Sequence, residues 1–218
     1  MDKRKLICSG ATLAFTAFIT ACSSPEAEAP APSVEQTSPR LAMCGEGLAE
    51  GCVQSVSDTM GLIYTATDGG YDFRLLALED GAELQSFDEE HGDAMSAPSL
   101  EDLDQDGDPE LIIPDFTGNV NTVYRIRQLI DGRFEPAGEV SGLGLERDED
   151  TGLLGITSRS SAVRYGYHAY VLSDDGLVLA YALDSDLADR ACVLTPGPAF
   201  DAAGLDANTL LTACEAEL

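Results

Sequence analysis

The sequence predicts an all-β domain: an antiparallel meander in the form of a truncated or irregular β-propeller. Three observations predict it. Short segments rich in β-branched and aromatic residues recur along the 218-residue chain. Asp-Gly turns separate many of them. No long segment carries a convincing 3.6-residue apolar period.

The strand candidates are LIYTA (62–66), YDFRLLAL (71–78), AELQSF (82–87), ELIIP (110–114), NTVYRIRQL (121–129), GLLGITSR (152–159), YGYHAYVL (165–172) and LVLAYAL (177–183). Hairpin signals fall at Asp68-Gly69-Gly70, Asp80-Gly81, Asp131-Gly132 and Asp175-Gly176. Tight hairpin turns need positive φ, which these residue types adopt at low cost. YHAYVLSDDGLVLAYAL is the clearest hairpin, and residues 203–218 suit a short terminal helix. Four-stranded blades of roughly 40–50 residues fit only about four times into this length, so an incomplete propeller is expected.

The first 21 residues read as a targeting segment. Lys3, Arg4 and Lys5 precede an apolar run over 6–19, which is shorter than a comfortable membrane span. Ile19-Thr20-Ala21-Cys22 resembles the bacterial lipobox, in which the Cys is lipidated and becomes the new N-terminus. That resemblance implies a lipid anchor on Cys22. Ser23, where an Asp would signal retention, implies the outer membrane, on its periplasmic or cell-surface face. The alternative is a plain secretory signal cut after Ala21. Residues 22–40 are Pro, Ala, Glu and Ser with almost nothing to bury, which suits a disordered tether. The β domain then covers 41–218.

Twelve basic residues face 39 acidic ones, for a formal net charge of −27. Nucleic acid is a poor partner for such a chain, because its phosphates are repelled. Cations and basic proteins are the natural counterparts, although acidity also serves solubility. Removing 1–21, with Asp2, Lys3, Arg4 and Lys5, leaves nine basic residues, all Arg, and 38 acidic ones. Without Lys there is no Schiff-base amine and no phosphate-loop lysine.

Cys44, Cys52, Cys192 and Cys214 remain beyond the signal and the lipidated Cys22. An even number in an oxidising compartment points to disulfides. Three pairings are possible. Cys44–Cys52, closing CGEGLAEGC, and Cys192–Cys214, tying down the tail, are favoured. Zinc is the rival, but no spacing is C-x-x-C and the chain has only two histidines, His91 and His168.

The stretch EDLDQDGDPELII (101–113) carries the most chemistry. Alternate residues of an extended segment share a side, so Asp102, Asp104 and Asp106 converge. Gly107 permits the turn around the convergence point. Asp108 offers its carbonyl, and Glu110 closes the far side. Such a flexible ring of hard oxygens suits Ca²⁺ better than Mg²⁺. An EF-hand is excluded: its twelfth position falls on Ile113, and the loop runs into a strand instead of a helix. The main role expected of the ion is structural, pinning two strands and coupling folding to metal.

The pattern D-x-D-x-D-G-x-x-[DE] before an apolar strand resembles the FG-GAP/VCBS repeats of extracellular β-propellers. The likeness covers SAPSLEDLDQDGDPELIIPDF. It implies Asp102, Asp104, Asp106 and Glu110 as side-chain ligands and Asp108 as a main-chain ligand. The Phe-Gly…Gly-Ala-Pro signature and the repeat series are missing. The order of features over roughly 95–183 also resembles small bacterial periplasmic lipoproteins with a single calcium loop. Some of those inhibit lysozyme-like effectors or confer immunity to them.

No coherent catalytic set is present, and the expectation is a non-enzyme. G-x-S-x-G is absent, and bridged cysteines leave no Cys-His pair. His91 reads as a solvated loop residue and His168 as a packing or surface residue. Ser158, Arg159, Ser160, Ser161, Arg164 and Tyr165 are the candidate partner-binding surface, since Arg and Tyr are favoured in interface hot spots. The favoured reading is a calcium-binding, lipid-anchored, non-catalytic module for a basic protein, with a lysozyme-like cell-wall hydrolase as the candidate. The membrane is met through the lipid alone. The alternative is an adhesion or envelope-assembly module that binds glycan or another envelope protein.

Overall fold

The computed structural model describes residues 41–218 except 91, 93–95, 119 and 150. The targeting segment 1–21, Cys22, the tether to residue 40 and His91 lie outside the described residues. Thirteen strands and one helix follow in order: β1 (Gln54–Ser55), β2 (Met60–Thr67), β3 (Gly70–Ala77), β4 (Glu83–Glu90), β5 (Ser99–Glu101), β6 (Glu110–Gly118), β7 (Asn121–Ile130), β8 (Arg133–Gly142), β9 (Leu145–Arg147), β10 (Leu154–Arg159), β11 (Arg164–Ser173), β12 (Gly176–Asp186), β13 (Ala191–Pro196) and α1 (Ala207–Glu217). They form three antiparallel meanders, β1-β2-β3-β4, β5-β6-β7-β8 and β9-β10-β11-β12-β13, none of them closed. The all-β expectation holds, and the terminal helix lies within the expected 203–218.

Each meander opens on a strand of two or three residues and continues with longer ones. The short strands start at Gln54, Ser99 and Leu145, a spacing of about 45 residues. These three short strands were invisible to periodicity. No strand is expected over 133–142, yet it forms strand β8. Pro136 and Gly138 hid it. Both are tolerated because β8 is an edge strand, where a missing donor breaks no second ladder. Edge strand β13 was missed too.

The sheets stack in layers. Leu62, Tyr64, Phe73 and Leu75 of the first meander share one core with Leu111, Ile113 and Phe134 of the second. On the other face of the second meander, Ile112, Ile126 and Val140 share a core with Leu154 and Ile156 of the third. Strand β6 therefore buries both faces, with Glu110 to Pro114 all buried. That is why it reads as a continuous apolar run instead of an alternation. Beyond the third sheet, Ala199 and Phe200 pack on Ala169, Ala180 and Tyr181. Gly142 lets the sheets approach: a Cβ there would lie 2.4 Å from Ile156 Cγ1 and from the Thr157 carbonyl.

Two side-chain amides tie the layers as a strand would. Gln85 Nε2 donates to the Phe134 carbonyl at 3.1 Å, and the Phe134 N–H donates to Gln85 Oε1 at 2.8 Å. Asn121 does the same to Arg159, at 3.2 and 3.0 Å. Between the first two sheets, Arg127 Nε meets Glu89 at 2.6 Å and Arg125 Nη1 meets Glu89 at 3.3 Å, while Arg125 Nη2 meets Asp115 of its own sheet at 2.7 Å. The Arg127 guanidinium lies 4.4 Å from the Phe87 ring centroid. Gln85→Met is expected to lower stability by about 2–3 kcal/mol in urea unfolding, because it leaves the Phe134 N–H without its partner at a buried site. A loss under about 0.5 kcal/mol would mean the clamp is dispensable.

Both favoured disulfides are present. Cys44–Cys52 has a Cα separation of 5.1 Å and Cys192–Cys214 of 6.3 Å. The first closes the loop that extends the β1 edge, where Gly51 N–H donates to the Tyr64 carbonyl at 3.0 Å. The second fixes α1 to β13. Asp206 caps α1 by accepting from Thr209 N–H at 2.7 Å. Among the described residues no helix is long and apolar enough to cross a membrane.

Candidate functional site

The acidic loop joins β5 to β6 at an end of the middle sheet. Gln105 at φ 64° and Gly107 at φ 100° bend it tightly. Carboxylate oxygens of Asp102, Asp104 and Asp106 lie within 4.8 Å of one another. Loop amides hold them there. Asp106 N–H donates to Asp104 Oδ1 at 3.2 Å, Gly107 N–H to Asp102 Oδ2 at 3.2 Å, and Asp108 N–H to Asp106 Oδ1 at 2.8 Å. Asp108 is exposed, and its side chain is outside the group.

Glu110, at the start of β6, is not among the converging carboxylates. It is only 2% exposed, and its Oε2 accepts from Leu103 N–H at 2.7 Å. Burial pushes its carboxyl up to about 7; the Leu103 amide opposes this, and Asp104, Asp106 and Asp102 add to it. The Asp104 carboxyl is raised too, first by burial. Glu101 is the cross-strand partner of Glu110, another like-charge cost.

The nearest cationic help comes from the third sheet. Arg147 Nη1 donates to the Leu103 carbonyl, and its charge favours ionised Asp104. Its Nε is buried without a hydrogen-bond partner among the described residues. One guanidinium thus faces four crowded carboxylates. The loop retains a net negative charge that a divalent cation would offset. Oxygens sharing an ion bonded at about 2.4 Å can be at most about 4.8 Å apart, and the three aspartates meet that limit. The donors are all hard oxygens, as Ca²⁺ requires.

The candidate partner surface forms the tip of the β10–β11 hairpin, and its polar groups are largely used internally. Ser158 Oγ donates to Gly166 O at 3.3 Å, Ser160 Oγ to Arg164 O at 3.3 Å, and Arg159 Nε to Ser161 O at 2.9 Å. Ser161 Oγ accepts from Arg164 N–H at 3.1 Å, and Arg164 Nε pairs with Asp186 at 2.8 Å. Arg159 lies 5.5 Å from the Tyr165 ring centroid. His168 is half-buried, with its ring 6.5 Å from Tyr170 in an edge contact, a packing role.

These features define an antiparallel β domain of three stacked sheets with one acidic loop at a strand entry. A scan against protein-family models matched none, and searches of curated proteins and of solved structures likewise returned no match.

Proposed function

We propose that this chain is a calcium-binding lipoprotein, anchored through Cys22 to the bacterial outer membrane. Its β domain is a non-catalytic binding module for a basic protein, with a lysozyme-like cell-wall hydrolase as the partner class. The three stacked meanders are read as an incomplete propeller of the FG-GAP/VCBS kind, in which one loop carries the ion. The observation that carries the reading is the convergence of Asp102, Asp104 and Asp106 within 4.8 Å of one another, in the loop that leads into buried Glu110.

Asp102, Asp104 and Asp106 would hold Ca²⁺ by side chains and Asp108 by its carbonyl, with Glu110 at the start of β6. The ion would supply positive charge that pins the entry of β6 and spares the carboxylates their mutual repulsion. No covalent chemistry is assigned to it. The net charge of −27 supports the choice of partner, since it steers a cationic protein and makes association salt-sensitive.

Two calorimetric titrations test this. Ca²⁺ should bind at a single site, and Asp104→Asn should weaken it by about tenfold or more. A cationic lysozyme should then bind and be inhibited, with affinity falling steeply between low and high salt. Calcium binding without inhibition of any hydrolase, alongside recovery of glycan or a membrane complex from envelope extract, would favour the adhesion or assembly role.

A further inference from the structure

Helix α1 is an unusual wall. None of its residues is fully buried, but Ala207 and Leu210 pack against the outer core of the third sheet. The Cys192–Cys214 bridge also fastens it to β13. A groove of about 500 Å³ remains between the helix and the outer face of that sheet. Its sheet side carries Tyr165, Tyr167 and Tyr181; Asp148, whose Oδ1 accepts from Thr151 N–H at 3.0 Å, and exposed Glu217 also line it. Among the described residues no Arg, Lys or His lines it. Tyr167 and Tyr181 rings are 6.0 Å apart at 37°. Burial raises both phenols, and the nearby carboxylate of Asp148 raises them further, so they stay protonated.

The end of α1 adds negative charge to the groove from a second direction. Glu215 and Glu217 sit at the C-terminal end of α1, and no basic residue occupies its last turn. Carboxylates there face the negative end of the helix dipole, an unfavourable placement. Aromatic rings flanked by carboxylates attract a cation that carries an apolar stem. The chain itself offers no good occupant. The tether, 22–40, holds three glutamates and a single base, Arg40, and a second copy bears the same net charge of −27.

We infer that the groove between α1 and the third sheet receives the side chain of an arginine or lysine presented by a basic protein partner. This rests on the basic-partner reading above and places the contact on the outer face of the third sheet, behind the β10–β11 hairpin tip. Asp148 and Glu217 meet the charged head, and the tyrosines cover the aliphatic stem.

The test is NMR titration of the calcium-loaded domain with a capped Gly-Arg-Gly-Arg-Gly peptide. Shifts should concentrate on amides of 165–167, 181–185 and 210–217. Glu217→Arg should weaken binding about fivefold or more. Charge reversal at exposed Asp88, on the first sheet, should change it by less than about twofold. Glu217→Arg should also leave the melting temperature unchanged or higher, since it suits the helix dipole. Equal losses in the two variants, or shifts centred on the 102–108 loop, would overturn the groove as the contact. The peptide titration involves no hydrolase. A groove that fails while lysozyme inhibition persists refutes only this assignment, and the reverse result refutes only the choice of hydrolase.

Discussion

In chelator, the melting temperature of the β domain should fall as pH rises from about 5 to about 7.5, and excess Ca²⁺ should reverse the fall. The cause is Glu110. It is 2% exposed, and its carboxyl is pushed from 4.5 up to about 7 by burial first and by Asp104, Asp106 and Asp102 after that. The folded state therefore holds this proton more tightly than the unfolded chain. Below the unfolded value neither state is charged and nothing is lost. Between 4.5 and about 7 the unfolded chain ionises while the folded one resists, so stability declines. Above about 7 the loss is complete, at roughly 3 kcal/mol. For a domain of this size that corresponds to about 6–12 °C. Asp104 is raised in the same direction. Asp186 and Asp206 are lowered by their hydrogen bonds; their stabilisation is lost only as pH falls below about 4, outside this window.

Calcium changes the sign of the site. It binds the native state with its carboxylates ionised, and at about 100-fold over its dissociation constant it adds about 2.7 kcal/mol. Glu110→Gln separates the two effects, because it removes the titrating proton and keeps the amide acceptor for Leu103. The variant should lose the slope between pH 5 and 7.5 in chelator, although general repulsion at a net charge of −27 persists. An identical slope in the wild type and Glu110→Gln would assign the pH effect to bulk charge. No response to Ca²⁺ in either would remove the metal from the account.

How far the sequence could be read follows from how local each signal was. The long strands were legible because β-branched residues and Asp-Gly turns act within a few residues. Strands β1, β5 and β9, at two or three residues, are too short to show any period. The three aspartates were legible because their convergence is a property of one loop. The support around them was not. Arg147 reaches Leu103 across 44 positions, and Asn121 reaches Arg159 across 38. The same distance hid the groove under α1, which needs β10–β12 and the helix to be brought together. The pairing of Arg164 with Asp186 was equally out of reach, because it spans 22 positions.

Ile112→Ala and Ile113→Ala should each cost about 2–5 kcal/mol in urea unfolding, even though the two residues are neighbours. In an ordinary half-buried strand only one of two successive side chains is in the core. Here Ile113 is 0% exposed against Leu62, Phe73 and Phe134, and Ile112 is 4% exposed against Ile126, Leu154 and Ile156. Each substitution opens a cavity in a different core, so the costs should be close to additive. The double variant would then remove most of the 5–15 kcal/mol that holds a typical domain. Ile63→Ala provides the contrast. Ile63 is half-buried on the face of β2 turned away from the second sheet, and its truncation should cost about 1 kcal/mol. If Ile112→Ala proved as mild as Ile63→Ala, the third sheet could not be packed on the second. The acidic loop would then enter a strand with one wet face, where neither the burial of Glu110 nor the reach of Arg147 would hold.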